Sequence, residues 1–509
     1  MGGGKLQASD KNTGNAPGDR VPARRPLLSN RQIWNMCCGL FGVQIVWGLH
    51  NVNTSRIFQA LGVDIADLPI LWIAAPITGL LVQPIVGWLS DRTRSPLGRR
   101  RPYLLAGAVL SALALVAMPN ASTLWACSLT LWLLTAAVNI AMEPFRALVA
   151  DTLPDEQRTQ GFATQVFFIG AGAVFASLLP WIMSHLFGLS VRNDGEALPP
   201  SVRAAFYVGA LCLLAVVSWT VFTTPEQAPP PAPARMAAPR LVATPGKALR
   251  GGALWMSGGG ALAGFAFVTG QEREIHFIAA LAVAFGLAQI AVTWLRGRGA
   301  ASLGMLEIVE DILLMPLTLK RLALVQFFTW FGLFAMWIYT VPAVAARHYG
   351  TMDAASAAYN EGADWVGVLF AGYNGVAALA ALALPALAAR TGRRTCHAAC
   401  LLLGAAGLAG FRVVDDPAWL WLPSVAIGIA WAAILSIPYA LLAGAVPARK
   451  AGVYMGIHNI FLVLPQLVAA TILGPLVGTL LGGHAIHALT LAAVSLSIAA
   501  FCMLFVPRE

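Results

Sequence analysis

The sequence predicts an all-α membrane protein made of two six-helix halves, with an extra pair of helices inserted between them. Of its 509 residues, 58% are hydrophobic and only 11% are charged, whereas a soluble protein carries roughly 25% charged residues. Apolar runs of roughly 20 residues, enough to cross a hydrocarbon core as a helix, recur from near Ile33 to near Leu504. Short stretches of the two halves also resemble each other, which is typical of membrane proteins built from a repeated unit.

Twelve apolar runs form the two halves, and two further runs lie between them. The runs of the first half lie near 33–55, 68–90, 102–119, 123–149, 161–186 and 204–223. Those of the second half lie near 321–346, 363–388, 395–412, 417–445, 453–480 and 484–506. The inserted runs, near 252–271 and 275–296, are joined by the polar turn "GQERE". We therefore expect about fourteen crossings of the membrane.

The remaining segments are polar or amphipathic. Residues 1–32 lack the apolar core of a cleavable signal and predict a disordered cytoplasmic tail. A Pro-rich linker, "APPPAPARMAAP", follows the first half, and "LEIVEDILLMPLTLK" separates acidic from apolar residues as a helix on the membrane surface would. The predicted divisions are the tail (1–32), the first half (33–223), the linker with the inserted and interfacial helices (224–320), and the second half (321–509).

The formal net charge of +10 comes from basic residues in the loops between apolar runs. These loops fall on one side if both termini share it, and the positive-inside rule makes that side the cytoplasm. The charge therefore indicates topology, and no nucleic-acid partner is expected. Arginine supplies 28 of the 33 basic residues and Ala and Gly abound, which is typical of a GC-rich bacterial genome. We expect a multi-pass protein of the bacterial inner membrane.

The seven cysteines form no disulfide framework, because their number is odd and most lie inside apolar runs. Cys396, His397 and Cys400 are a weak alternative as metal ligands, since no second cluster accompanies them. We expect no metal and no cofactor. We also expect the protein to be a monomer.

The repeat is clearest where "PFRALVADTLPDEQRTQG" in the first half resembles "PYALLAGAVPARKAG" in the second. Pro144 then matches Pro438, but Arg146 matches Ala440. Two such halves that face each other across a central site are the architecture of a large group of transporters. A charge that one half has and the other lacks is better explained by function than by the shared scaffold.

A polar stripe runs along the fourth span, where Thr135, Asn139, Glu143 and Arg146 follow at steps of four, four and three. A charged residue at mid-bilayer costs about 2.5 to 3.5 kcal/mol, and intramembrane charges mark substrate or ion pathways. We predict Glu143 as a proton carrier and Arg146 as its counter-charge. The alternative is a buried ion pair that only joins helices.

The first span carries a second stripe of amides and an indole. Gln44, Trp47 and Asn51 share a face, with His50 and Asn53 nearby. Amides both donate and accept hydrogen bonds and an aromatic face packs on a sugar ring, so this stripe predicts a sugar site. Hydrogen bonding between helices is the alternative. The further predicted sugar ligands are Asn139, Arg146, Trp337, Asn459 and Gln466.

The loop "GWLSDRTRSPLGRRRP", residues 87–102, resembles the signature loop of the major facilitator superfamily. The resemblance implies the major facilitator fold and a gating role for Asp91, Arg92, Arg99 and Arg100 at the cytoplasmic mouth. The same charges also enforce topology.

Four longer stretches resemble the plant sucrose transporters and their animal and bacterial relatives, carriers of the glycoside-pentoside-hexuronide:cation symporter type. They are "GVQIVWGLHNVNTSRIFQALGVD", "PITGLLVQPIVGWLSDRTRSPLGRRRP", "NIAMEPFRALVAD" and, in two nearby pieces of the second half, "SIPYALL" with "GVYMGIHNIFLVLPQL". The resemblance implies proton-coupled transport of sucrose, maltose or related glucosides, with the fourth-span arginine of that family at Arg146.

The chain departs from the plant pattern at its acidic positions. The acid eleven residues before the arginine is replaced by Thr135, and an acidic pair of the seventh span aligns with Thr340 and Pro342. Glu143 is the best replacement acid. Glu361 and Asp364, at the outer mouth of the eighth span, are weaker candidates because a carboxylate at a mouth is usually solvated.

The sequence thus predicts a symporter whose partners are a small sugar, protons and the lipid bilayer. Two alternatives remain. A proton-antiport exporter of drugs or other small molecules needs a mainly apolar cavity, against which the amide stripes count. A membrane enzyme is the weakest reading, because the chain has no zinc-protease, nucleophile-elbow or phosphate-loop motif.

Overall fold

The computed structural model describes residues 27–192, 198–226, 245–269, 273–297, 312–313, 315–445 and 451–507. Long α-helices dominate these residues, and no β-strand occurs within them. The helices of the first half are α1 Gly39–Ala60, α2 Ala74–Arg92, α3 Arg101–Ala117, α4 Leu124–Thr152, α5 Asp155–His185 and α6 Pro200–Thr223. The inserted pair is α7 Pro245–Thr269 and α8 Arg273–Gly297. The second half contains α9 Leu317–His348, α10 Ala357–Thr391, α11 Arg393–Val413, α12 Trp421–Ala445, α13 Ala451–Pro475 and α14 Ala485–Met503.

Local signals explain where several of these helices begin. Thr123 precedes α4 in extended conformation, and its hydroxyl accepts a hydrogen bond from the backbone N–H of Ala126. Ser356 caps α10 in the same way by accepting from the N–H of Tyr359. Such caps satisfy N–H groups that have no partner inside the helix. The short helix Asn30–Cys37, which leads into α1, starts with a capping box between Ser29 and Gln32.

The two halves face each other through several helix pairs. Helix α1 packs against α9 and α10, α5 against α10, and α2 against α13. We call the end of the bundle that holds the loop between α2 and α3 the inner end, and the opposite end the outer end. The positive-inside rule predicts that the inner end is cytoplasmic. The space between the halves is therefore bordered by α1, α2 and α5 on one side and by α9, α10 and α13 on the other.

The inserted helices α7 and α8 pack closely along small residues. A Cβ atom added at Gly286 would lie 2.6 Å from the carbonyl oxygen of Gly252, and one added at Gly259 would lie 2.8 Å from that of Ala279. Glycine is therefore required for the two backbones to approach. Within "GGGALAG", residues 258–264, Gly259 makes this contact, whereas a Cβ added at Gly258, Gly260 or Gly264 would meet no atom within 4 Å. Helix α8 also contacts α13, so the pair lies beside the second half.

Twelve of the described helical segments are long and apolar enough to cross a membrane. Helices α1 and α8 are not among them. Helix α1 contains Gln44, His50, Asn51, Asn53 and Arg56, which lower its hydropathy, and the apolar stretch of α8 is short, Ala279–Leu295. The count of fourteen crossings stays a prediction. The predicted tail and linker lie largely outside the described residues, as does the acidic first part of the predicted interfacial helix, residues 306–311.

We expect the turn "GQERE" to be external, because only an even number of crossings keeps the basic loops on one side. A reporter inserted there should be active only outside the cytoplasm, and one inserted in the Pro-rich linker should be active only inside. A cytoplasmic reporter at "GQERE" would contradict the fourteen-span topology.

Candidate functional site

One face of α1 is only partly buried. Phe41, Gln44, Trp47 and Asn51 are half-buried, while the other residues from 39 to 58 are buried. Because helices of both halves, α5, α6, α9 and α10, contact α1, we infer that this face borders a space between the halves and not lipid. The structure describes no hydrogen bond for the side chains of Gln44 and Asn51, and the Trp47 indole N–H is buried without a partner. The predicted stripe therefore presents unused polar groups to the central space.

His50 and Asn53, the other predicted ligands on α1, are buried away from this face. The His50 ring lies 4.7 Å from that of Trp72, and its Nδ1 is 2.8 Å from the Thr54 hydroxyl. The Asn53 amide donates to the carbonyl oxygen of Leu49 at 3.0 Å. In this conformation both side chains stabilise packing around α1.

Asn139 on α4 is engaged with α2. Its amide nitrogen donates to the Thr78 hydroxyl at 3.2 Å and to the Thr135 carbonyl at 2.8 Å. Its carbonyl oxygen accepts from the Gln83 amide at 2.7 Å. Both functional groups of Asn139 are thus occupied, so it joins α4 to α2 here.

Glu143 and Arg146 lie on the same face of α4 and are partly exposed. The carboxylate Oε2 is 4.0 Å from the guanidinium Nη1, and the two side chains are 38% and 53% exposed. The guanidinium is close enough to the phenol of Tyr439, on α12 in the second half, to interact with it electrostatically. The pair is therefore not a buried link between two helices. It is open to solvent, so the two side chains have room to change partners.

Tryptophans dominate the second half of the central space. The ring centroids of Trp330, Trp337 and Trp431 are 5.9 to 6.1 Å apart. The indole N–H of Trp337 donates to the Tyr373 hydroxyl at 3.3 Å. Trp337, a predicted ligand, and Trp431 are half-buried, so the cluster offers an aromatic surface.

The two predicted amides on α13 differ in their contacts. Asn459 is half-buried, and the structure describes no hydrogen bond for its side chain. The amide of Gln466 donates to the Leu462 carbonyl of its own helix at 2.9 Å. Asn459 is therefore free to contact a ligand, whereas Gln466 uses one donor locally.

Sequence reasoning missed a buried polar group in the second half. Nε2 of His458 lies 3.1 Å from the Gln326 amide nitrogen, and the His458 ring packs on Tyr439 at 4.9 Å. His458 Nδ1 and the Gln326 amide oxygen are buried without a partner. The signal was present in "GIHNIF", where His458 directly precedes the predicted Asn459.

Comparisons with known proteins identify the family. The family model described as Major Facilitator Superfamily matches residues 36–470. The chain belongs to this superfamily. The sequence-based resemblance and the predicted major facilitator fold are thereby confirmed.

Curated relatives of this chain include two kinds of carrier. It is 28% identical over 243 residues to the general alpha-glucoside permease of Schizosaccharomyces pombe, covering 45% of this chain and 42% of the permease. It is 30% identical over 210 residues to the sucrose transport protein SUC4 of Arabidopsis thaliana, covering 37% of this chain and 41% of that protein. The match thus spans less than half the length of these relatives.

Solved transporter structures share the fold. The POT family transporter PepTSo superposes with a TM-score of 0.66 at 13% identity, over 94% of this chain and 98% of that one. The nucleoside transporter NupG superposes with a TM-score of 0.63 at 14% identity, over 94% of this chain and 100% of that one.

The signature loop of the superfamily is tied to the first half by a carboxylate that sequence reasoning missed. The backbone N–H groups of Arg99 and Arg100 donate to the Glu226 carboxylate at 2.7 and 2.8 Å. Glu226 lies just after α6. By accepting these hydrogen bonds it fixes the start of α3, and its negative charge stabilises the positive, N-terminal end of the α3 helix dipole. Gly98, at φ 104°, leaves the space that the Glu226 side chain fills. The guanidinium of Arg100 donates to the Ser90 hydroxyl of α2.

The structure describes the side chains of only two of the four predicted gating residues. The side chains of Asp91 and Arg92 lie outside the described residues. The contacts of Arg99 and Arg100 given above are with Glu226, three residues after α6, and with Ser90 of α2, and neither partner belongs to the second half. A gating role for the four residues stays a prediction.

At the outer mouth, the structure corrects the prediction for Asp364. Glu361 is exposed, as a mouth carboxylate is expected to be, but Asp364 is buried. Its carboxylate oxygen lies 2.6 Å from Nη1 of Arg56, on α1 in the first half. Arg56 was not predicted as a site residue, because its partner is far away in sequence.

Proposed function

We propose that this protein is a proton-coupled symporter that imports a disaccharide or glucoside such as sucrose or maltose. The observation that carries the proposal is the half-buried face of Gln44, Trp47 and Asn51, whose polar groups have no described hydrogen-bond partner beside an open space between the halves. A sugar has many hydroxyls, and each needs a donor or acceptor when it leaves water. The named functions of the relatives, sucrose transport and alpha-glucoside permeation, support the same substrate class.

The opposite wall of the space complements this face. Asn459 adds an unused amide, and Trp337 and Trp431 add aromatic rings. Aromatic faces pack on the C–H faces of sugar rings, while amides bind the hydroxyls. A site shared by both halves is also what a carrier requires, because binding there can follow the movement of one half against the other.

Glu143 is proposed as the proton carrier and Arg146 as its counter-charge and a sugar ligand. The two groups are 4.0 Å apart and partly exposed to the same opening. A carboxylate near a guanidinium holds its proton less strongly when the cation is close and more strongly when it moves away. Sugar binding to Arg146 can therefore change the proton affinity of Glu143, which is the linkage that symport requires.

The alternative is a proton-antiport exporter of drugs or other small molecules. The cluster of Trp330, Trp337 and Trp431 favours it, because aromatic surfaces also bind apolar compounds. The amide groups on α1 and α13 count against it, since burying them against an apolar ligand leaves them unsatisfied.

Transport by purified protein in liposomes tests the proposal. Labelled sucrose and maltose are added outside, with and without an imposed inward proton gradient. If the sugar concentration inside rises above that outside only when the proton gradient is imposed, the result supports symport. Absence of sugar uptake by folded protein, together with gradient-driven expulsion of a dye from loaded liposomes, would support the exporter.

Replacement of Asn51 by Leu should weaken sugar binding by about 1 to 3 kcal/mol, because a buried hydroxyl loses its partner while the side-chain volume is roughly kept. The measurement is the concentration dependence of sugar uptake, normalised to folded protein. Asn53→Leu is the matched control, since Asn53 faces away from the space and its loss should lower folded yield more than affinity. Unchanged affinity in Asn51→Leu would remove this face from the sugar site.

A further inference from the structure

A buried ion pair joins the two halves at the outer end. Nη1 of Arg56, near the end of α1, lies 2.6 Å from Oδ1 of Asp364, in the second turn of α10. The two side chains are 0% and 2% exposed. A charge buried without its partner is strongly disfavoured. Each of these charges is therefore tolerated in its buried position only while its partner is beside it.

Two neutral side chains complete the contact, one from each half. Nε of Arg56 donates to the Asn360 amide oxygen at 2.6 Å, and the Ser184 hydroxyl donates to Oδ2 of Asp364 at 3.3 Å. Asn360 is fixed in turn, because its amide nitrogen donates to the Ser356 carbonyl at 2.9 Å. We call Arg56, Ser184, Asn360 and Asp364 the outer cluster. Arg56 and Ser184 belong to the first half, and the other two belong to the second.

The helices around the outer cluster are in direct backbone contact. A Cβ atom added at Gly367 of α10 would lie 2.5 Å from the carbonyl oxygen of Ser177 on α5. The Ser55 hydroxyl donates to the carbonyl oxygen of Ile338 on α9 at 2.8 Å. A ligand entering from the outer side therefore cannot pass until these helices separate, and that movement breaks the Arg56–Asp364 pair.

A cavity lies close to the outer cluster on its outer side. It has a volume of about 490 Å³ and is lined by Trp181, Ser184, Tyr349, Glu361 and Trp365 among others. Burial raises the pKa of the Tyr349 phenol, and Glu361 and Asp364 raise it further, so this group is a neutral donor. Ser184 lines the cavity and also donates to Asp364, so it connects the cavity to the ion pair.

We propose that the outer cluster is the external gate of this carrier. The pair holds the outer end closed in the state described here and separates when that end opens to receive a ligand. Separation exposes both charges to water, so hydration offsets the lost attraction and the gate can open reversibly. Arg56 and Asp364 act as positioning residues that set the balance between the two states. The proposal rests on the proposed function in one respect, which is that a carrier must open to both sides of the membrane.

Distance measurement between spin labels tests the gate without any sugar. Labels are placed on Ser122→Cys and Met352→Cys, exposed positions in outer loops of the two halves, after replacement of the seven native cysteines. In Asp364→Asn protein the closed state keeps a buried Arg56 without its counter-charge. We expect the population with the longer outer distance to rise by about tenfold or more over that of the parent protein.

Two comparisons separate a gate from a general structural role. Asp415→Asn breaks the Arg347–Asp415 pair, which is 2.8 Å long and lies at the outer end but within the second half; its distance distribution should match that of the parent. The exchanged pair, Arg56→Asp with Asp364→Arg, should restore the short distance. An unchanged distribution in folded Asp364→Asn protein overturns the gate, and so does an equal shift in Asp415→Asn.

If Asp364→Asn protein does not fold, Arg56→Lys provides a milder test of the gate. Arg56→Lys keeps the charge but loses the two-pronged contact with Asn360 and Asp364. It should shift the distribution in the same direction by a smaller factor, and a parent-like distribution in folded protein overturns the gate. Because the distances are measured without sugar, absence of sugar transport would refute the proposed function and leave this result standing.

Discussion

Glu143→Gln protein is expected to bind sugar and exchange it across the membrane, but to lose accumulation against a gradient. Glutamine resembles the protonated acid in shape and still forms hydrogen bonds, yet it cannot bind or release a proton. Because Glu143 is partly exposed and already 4.0 Å from Arg146, the change leaves no deeply buried charge unpaired, so the variant should fold. Proton-driven accumulation and sugar exchange without a gradient are measured in the same liposomes.

The matched control is Glu361→Gln, which removes an exposed carboxylate at the outer end. It should accumulate sugar as the parent does. Normal accumulation by well-folded Glu143→Gln protein would end the assignment of Glu143 as proton carrier, and loss of accumulation in Glu361→Gln alone would move that role to the outer mouth.

Arg146→Lys is expected to weaken both sugar binding and coupling. Lysine keeps the positive charge but replaces the planar five-donor guanidinium by a single ammonium group. A hydrogen bond to a charged group contributes about 1.5 to 3 kcal/mol, so apparent sugar affinity should fall by roughly tenfold or more. The measurement is the sugar concentration that gives half-maximal uptake, with and without a proton gradient.

Arg347→Lys serves as control, because Arg347 is a partly exposed arginine that pairs with Asp415 at the outer end. Its uptake should be close to that of the parent. If Arg146→Lys lowers only the amount of folded protein, with uptake per folded molecule unchanged, Arg146 is a structural residue and the sugar site must be placed elsewhere.

Much of the architecture could be predicted from the sequence because the bilayer limits the choices. A helix in hydrocarbon must be apolar over roughly 20 residues, so each span can be recognised separately in the sequence. The same constraint makes a polar stripe conspicuous, and the spacing of Gln44, Trp47 and Asn51 was sufficient to predict that they share a face. The structure places all three half-buried beside the central space.

Helical spacing alone could not separate neighbours on the same helix. His50 and Asn53 lie within four residues of the exposed face of α1, but His50 packs on Trp72 and Asn53 bonds to its own helix. Asn139 shares a stripe with Glu143, yet its amide is engaged by Thr78 and Gln83 of α2. Which polar group remains available depends on what the adjacent helix presents, and that is decided by packing between helices.

The sequence by itself determined an all-helical membrane protein in two related halves, with polar faces on α1 and α4 and a signature loop of the superfamily. The helices and their polar faces follow from local periodicity and from the cost of placing polar groups in lipid, whereas the loop was recognised by its resemblance to the superfamily. Only the tertiary structure decided that Arg56 pairs with Asp364, 308 residues away, and that Glu226 holds the signature loop. Neither contact has a local signature, because each requires the docking of helices that are distant in sequence. For the ion pair this docking joins the two halves, and burial there makes each charge depend on the other.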